Sequence, residues 1–418
     1  MRIAYFTDAY LPNVNGVTYA IEGWLSELGK RHEIEVYAPA YGMNSWTERQ
    51  RKVTVRRYRS IPLVTYKDAH VAIPEVGNII RSMEVFNPQI VHFHSPGPLG
   101  LLGILVAKKM RKPLIGTYHT LYSEVLDYVS IRRKLEKYLK VIDRLVAGVN
   151  VDWTVLGENK NGNGETIPQR LTWKVVNKIY GYADVVSCPS NAIKRELVKR
   201  GMKRVEVTWL GLDLSKFAPK SKYQTAGKIL HVGRMGFEKN VDVVLRAFAG
   251  LVDELAGVTL TIVGDGPAME SLRKLTDELG VAGSINFLGM VPRNKLAEIY
   301  RKHDVFVTAS DMETLGLVVL EAMACGLPVV GVRKYALPDM INSGNNGYLV
   351  DPGDWEGMTR FLKIILTDPR LNERLGRQAR REAEKHDLTK AVSRLERVYM
   401  RLTKLEKPSF WERIKGAA

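Results

Sequence analysis

Short apolar runs alternate with amphipathic stretches along most of the chain. RIAYFT leads into VTYAIEGWLSELGKR, whose apolar residues recur at helical spacing, and then into IEVYAP. The alternation continues through IVHFH, a helix near 98–110, PLIGTYH, VVSCPS, NAIKRELVKRG and VEVTWLG. After the polar stretch APKSKYQTAGK it restarts at KILHVGR. From there it predicts helices over 241–254, 268–279, 293–302 and 317–325, separated by LTIVGDG, INFLGMV and VFVTAS and followed by PVVGVR and GYLVDP. Apolar strands alternating with helices predict parallel sheets covered on both faces. The expected class is therefore α/β, with two doubly wound, Rossmann-like domains over 1–212 and 213–388. The helical tail 389–418 is expected to pack back on the first.

One stretch breaks the rhythm. In 131–146, Ile131, Leu135, Tyr138, Leu139, Ile142 and Leu145 form one stripe, opposite Arg132, Arg133, Lys134, Lys137, Lys140 and Arg144. A polar loop, GENKNGNGE, follows at 157–165. From Lys108 to Arg144 there are ten basic and four acidic residues, so part of the net charge of +17 is concentrated here. Such a stripe can meet an anionic membrane surface, and can equally be a core helix with a solvated face. No leader is read at the start, and no apolar run reaches the ~18 residues of a membrane span. Two distant cysteines, Cys188 and Cys325, make no metal spacing, and a reduced cytoplasm is the expected home.

The candidate chemistry lies in the second half, where polar or glycine-rich turns follow successive strands. Ligands of open parallel sheets bind beyond the carboxyl ends of strands. After ILHV comes Gly233-Arg234-Met235-Gly236-Phe237-Glu238-Lys239, after LTIV comes Gly264-Asp265-Gly266-Pro267, and after VFVTAS comes ETLGLVVLEAMACG. Gly316 separates the two glutamates of that last segment. Glu313 is expected in the loop, with a helix starting near Leu317 and carrying Glu321. The amides after Gly316, of Leu317 and Val318, lack intrahelical acceptors and suit a phosphate. Glu321 can accept from a ribose diol, and Glu313 from a second polyol. Arg234 and Lys239 bring two cations to the same rim, as a diphosphate requires. Taken singly, each of these residues could be an ordinary surface group; their grouping after successive strands is the signal. No Asp-x-Asp pair calls for a metal.

These residues resemble retaining glycosyltransferases of family 4, whose GT-B fold sets two Rossmann-like domains facing across a cleft. In that family a Glu-x7-Glu pattern contacts donor sugar and ribose, matching Glu313 and Glu321. An Arg and a Lys clasp the diphosphate, matching Arg234 and Lys239. YFTDAYLPNVNGV is similar to the family's first glycine loop, which places Gly16 near the diphosphate. Leu315 departs from the Gln, Phe or Tyr of many relatives. GTYHTLYSEVLDYV, 116–129, is similar to the acceptor segment of diacylglycerol glucosyltransferases and phosphatidylinositol mannosyltransferases, which implies a role for His119 near the reacting carbon. His94, which shares a strand face with His92, is a second candidate at the acceptor-side rim. A metal on that pair would lack a third ligand.

The resemblance implies a retaining, metal-independent hexosyltransferase that uses a nucleotide-sugar donor, UDP by family expectation. The acceptor would be a hydroxyl of a membrane lipid, on the cytoplasmic face of the cell membrane. A soluble enzyme acting on a sugar, sugar phosphate or other small alcohol is the alternative. A nucleic-acid binder fits poorly, because no aromatic-basic platform is present. A dehydrogenase fits poorly because GDGPAM lacks the third glycine.

Overall fold

The computed structural model describes residues 1–13, 15–63, 66–120, 167–223 and 225–404. The acceptor-like segment from 121 onward, the basic stripe 131–146 and the polar loop 157–165 lie outside them. The chain divides into two compact units, one of Met1–Pro189, Lys194–Thr208 and Val392–Ala418, the other of Ser190–Ile193 and Trp209–Ala391.

The first unit contains β1 (Arg2–Phe6), β2 (Glu33–Pro39), β3 (Trp46–Gln50), β4 (Val53–Tyr58), β5 (Ser60–Leu63), β6 (Tyr66–Ala72), β7 (Ile90–Phe93), β8 (Leu114–Thr117), β9 (Val185–Cys188) and β10 (Val205–Val207). Eight of them form one sheet in the order β10-β9-β8-β7-β1-β2-β4-β3, while β5 and β6 pair separately. All neighbours in the large sheet are parallel except β3–β4. Residues 46–72 are where the sequence rhythm gave no strands. All five residues of β3 are exposed, so that edge hairpin carries little of the apolar signal on which strand prediction depends. The last helix, Leu388–Lys404, gives its residues from Val392 onward to this unit. Glu396 there binds Arg31 at 2.7 Å and His32 at 2.7 Å.

The second unit holds β11 (Lys228–Val232), β12 (Thr259–Val263), β13 (Ile285–Gly289), β14 (Val305–Val307), β15 (Val329–Val332) and β16 (Gly347–Val350). Their order, β13-β12-β11-β14-β15-β16, is all parallel and winds outward in both directions from the β11/β14 junction. The inner strands β14 and β15 are buried throughout, which explains their continuous apolar runs. Among the described residues, no helix is long and apolar enough to cross a membrane.

Candidate active site

Where winding reverses, the loops leaving adjacent strands diverge and open a crevice at the strands' carboxyl ends. In the second unit this is the junction of β11 and β14. After β11 comes Gly233-Arg234-Met235-Gly236, then a tight turn, Phe237–Lys239. The Gly264–Gly266 loop braces it from behind: the Met235 amide donates to the Asp265 carbonyl at 2.9 Å. A Cβ on Gly264 would lie 1.8 Å from the Gly233 oxygen, and one on Gly266 2.6 Å from that of Met235. These glycines therefore let two backbones touch.

Lys239 turns across to the loop after β14. Its Nζ lies 2.6 Å from Glu313 Oε1 and 3.5 Å from Ser310 Oγ. The Glu313 carbonyl is fixed by the Ala336 amide at 3.1 Å. Burial pushes the Glu313 carboxyl up, but the Lys239 charge and the hydrogen bonds from Lys239 and Ser310 outweigh it and hold the pKa below the usual range. Arg234 stands at the same loop, 42% exposed, and pairs with Glu238 at 2.6 Å.

Gly316 has φ +78°, the left-handed region that glycine adopts without strain. It turns the chain into the helix Leu317–Ala324. The Val319 and Leu320 amides return to the Gly316 carbonyl. Those of Leu317 and Val318 meet no acceptor among the described residues, as expected for the first turn of a helix. Leu315, beside them, is buried.

Glu321, one turn into this helix, is 2% exposed. One carboxylate oxygen pairs with Arg293, and the other accepts from the Tyr300 hydroxyl at 3.1 Å. Burial pushes its carboxyl up against the pull of Arg293 and Tyr300, so the two glutamates are shifted in opposite directions. The sequence placed Arg234 and Glu321 on one rim; in the structure the arginine on Glu321 is Arg293. The sequence reading missed Arg293 and Tyr300, which stand seven residues apart on the helix Arg293–Arg301 and therefore share a face. A signal was present: a cation in the first turn of a helix opposes the helix dipole unless an acid compensates it.

In the first unit, β1 separates β7 from β2 and is the corresponding junction. His119 follows β8 and is 4% exposed. Its Nε2 lies 3.1 Å from Nδ1 of His94. His94, expected at a rim, is fully buried beside His92 and His119, because both faces of β7 are covered. His92 places Nδ1 2.6 Å from the Tyr399 hydroxyl and Nε2 2.5 Å from Thr117 Oγ1. Tyr399 in turn meets Tyr5 at 2.7 Å. The Trp24 ring lies about 6 Å from all three imidazoles. Burial drives the pKa values of His92 and His94 well below the ordinary value and that of His119 to about 3, so all three are neutral near pH 7. Among the described residues no group of three or more His, Cys, Asp or Glu side chains is arranged to hold a metal.

Two further residues frame this end of the sheet. Asp8 accepts from the Ser95 hydroxyl at 2.7 Å and from the Leu99 and Gly100 amides, capping the helix Pro98–Lys109. Gly16 begins the helix Gly16–Leu28, whose cap is Asn15, with the Thr18 amide 3.0 Å from Asn15 Oδ1.

Comparison with known proteins agrees with this architecture. Residues 14–216 match the profile of Glycosyltransferase Family 4, and residues 215–382 that of Glycosyl transferases group 1. The sulfoquinovosyl transferase of Arabidopsis thaliana is 30% identical over 81% of this chain, although the chain spans only 61% of that protein. The alpha-monoglucosyldiacylglycerol synthase of Streptococcus pneumoniae is 29% identical over 89% of this chain and 80% of its own length. The crystal structure of Anabaena Alr3699/HepE in complex with UDP shares the fold, with TM-score 0.70 and 16% identity over 95% of this chain and 99% of that one. The chain belongs to the family 4 glycosyltransferases and has their GT-B fold, with two Rossmann-like domains.

Proposed function

We propose that the protein transfers a hexose, with retention of configuration, from a nucleoside-diphosphate sugar to a hydroxyl of a membrane lipid. The observation that carries this reading is the Lys239–Glu313 pair beside a glycine-started helix at the β11/β14 junction. Cations and free amides suit a diphosphate, and a carboxylate suits sugar hydroxyls. Glu321, anchored by Arg293 and Tyr300, would take the ribose. His119 would serve on the acceptor side as a neutral hydrogen-bonding group.

In the reaction, the bond between the anomeric carbon and the diphosphate breaks, and its electron pair leaves on phosphate. The acceptor oxygen attacks the face that the diphosphate leaves, and its proton passes to the departing phosphate oxygen. The developing negative charge faces Lys239, Arg234 and the Leu317 and Val318 amides, with no metal in this reading. Such preorganised donors are each worth about 3 kcal/mol in a transition state. UDP is the favoured nucleotide by family expectation.

The lipid acceptor is supported by the resemblance of 116–129 and by the names of the sulfoquinovosyl and glucosyldiacylglycerol relatives. A peripheral position on the cytoplasmic membrane face belongs to the same proposal, with the basic stripe 131–146 as its contact. Nucleoside diphosphate released from a panel of sugar nucleotides, with diacylglycerol and phosphoinositide vesicles as acceptors, tests the reaction. Calorimetry that finds neither UDP nor GDP binding would refute the donor site. Transfer to small alcohols alone, with no flotation on anionic liposomes at low salt, would replace the lipid acceptor by a soluble one.

A further inference from the structure

Below the Lys239–Glu313 pair lies a histidine that the reaction scheme does not use. His231, in β11, is 1% exposed, and its Nδ1 lies 2.9 Å from the Val307 carbonyl at the end of β14. A carbonyl only accepts, so Nδ1 carries the proton and Nε2 is a bare lone pair in the neutral ring. That Nε2 is buried and meets no hydrogen-bond donor among the described residues. An unmatched acceptor in a core costs stability, and the phenylalanine that would fit beside the stacked Phe306 ring would avoid the cost.

The surroundings of Nε2 point to the donor site. A Cβ added to Gly233, two residues on and so on the same strand face, would lie 3.6 Å from Nε2 and, its own chain neighbours aside, within 4 Å of no other described atom. Lys239 and Glu313 are both within electrostatic reach of the ring. Burial and the Lys239 charge keep it neutral, with a pKa pushed down to about 4. A lysine ammonium has three hydrogens to place; Glu313 takes one, and Ser310, at 3.5 Å, is a distant second acceptor.

We propose that His231 is a positioning residue of the donor site: pinned through Nδ1–H to Val307, it offers Nε2 to the Lys239 ammonium and holds it in register when an arriving diphosphate draws it away from Glu313. This rests on the donor-site reading above and gives that site a floor. A ligand that opens the ion pair would otherwise release a long, flexible cation; the imidazole limits where it can go.

The test uses the full chain with His231→Asn, His231→Gln and His231→Phe. Asparagine can keep the N–H that meets Val307 but has nothing at the Nε2 position; glutamine can place its amide oxygen near Nε2. Calorimetry with UDP and GDP should show affinity falling about tenfold in the Asn and Phe variants and staying within about threefold of wild type in Gln. Steady-state kinetics should show kcat/KM falling by a similar factor, with Gln again rescuing. The opposite ranking, Asn active and Gln not, would assign the whole effect to the Val307 bond and overturn the proposal. Three unchanged variants with wild-type binding intact would overturn it alone, whereas a wild type that binds neither nucleotide overturns the donor site as well. Should the variants not fold, 15N-histidine NMR of the wild type decides: on adding nucleoside diphosphate the Nε2 resonance should move as it accepts a hydrogen bond, and an Nε2 signal insensitive to a bound nucleotide overturns the proposal.

Discussion

The two units place their candidate groups at the carboxyl ends of a wound sheet, yet they equip that place in different ways. In the first, three neutral imidazoles pack against Trp24 and two tyrosine hydroxyls, and burial keeps protons off them. In the second, acids and bases close on each other, Lys239 on Glu313, Arg293 on Glu321 and Arg234 on Glu238. A neutral imidazole can give or take a hydrogen bond without attracting an anion. A cation beside unpaired helix amides attracts one strongly. The division suits the proposed reaction, in which charge would develop on a leaving diphosphate and the acceptor would be an uncharged hydroxyl.

The largest contrast should appear on removing the key side chain of each unit. Lys239→Ala is expected to lower kcat by about 10²–10³-fold, because it removes charge aimed at the leaving group. His119→Ala should cost about tenfold to a hundredfold, on the scale of a hydrogen bond in a dry site. Turnover assays on the purified variants check the order. A His119 loss exceeding that of Lys239 would move the dominant chemistry to the first unit.

Next in size is the second ion pair. Arg293→Met leaves Glu321 buried without its cation and should lower unfolding free energy by about 2–3 kcal/mol, reduced from the value for a fully buried pair because Arg293 is 25% exposed. Donor affinity should fall with it. Adding Glu321→Gln should restore much of the stability but not the affinity, as read by urea denaturation and calorimetry. A double variant no more stable than Arg293→Met would mean that the pair is not the source of the loss.

How much of this was legible beforehand differs between the units for physical reasons. Several strands of the second unit are buried apolar runs, so their presence, the start of the helix at Leu317 and the separation of Glu313 from Glu321 followed from pattern and one breaker residue, whereas their order in the sheet did not. The closure of Lys239 on Glu313 was only half visible: both were placed on one rim, but local spacing cannot show that their side chains meet. Arg293 could have been suspected from its place in the first turn of a helix, but its partner could not, because it and Tyr300 join Glu321 from another helix and a tertiary contact leaves no periodicity. In the first unit, the exposed edge strand β3 was missed for want of an apolar face. The burial of His94 could not be read beforehand, because period two shows which residues share a face but not whether that face is open to solvent.

The smallest contrast is in acid stability. A buried histidine held neutral takes up a proton in the unfolded chain before it does in the fold. Between the folded value and about 6.5 the unfolded state therefore binds more protons, and stability falls as pH drops. It is fully present above about pH 6.5, at a loss of about 1.4 kcal/mol per pH unit per histidine below it. Among the described residues the first unit has three such histidines, His92, His94 and His119, and the second has two, His231 and His303. One buried carboxyl in each unit, Asp8 in the first and Glu321 in the second, acts in the opposite sense, since a carboxyl whose pKa is raised in the fold gains stability as pH falls toward it. The second unit, with fewer buried histidines held neutral, should thus lose less on acidification. Hydrogen exchange followed by mass spectrometry can read β7 and β8 separately from β11 and β14 in one sample. Protection should decline first in β7 and β8; earlier loss in β11 and β14 would mean that the buried acids of the second unit, not the histidines of the first, set the acid limit.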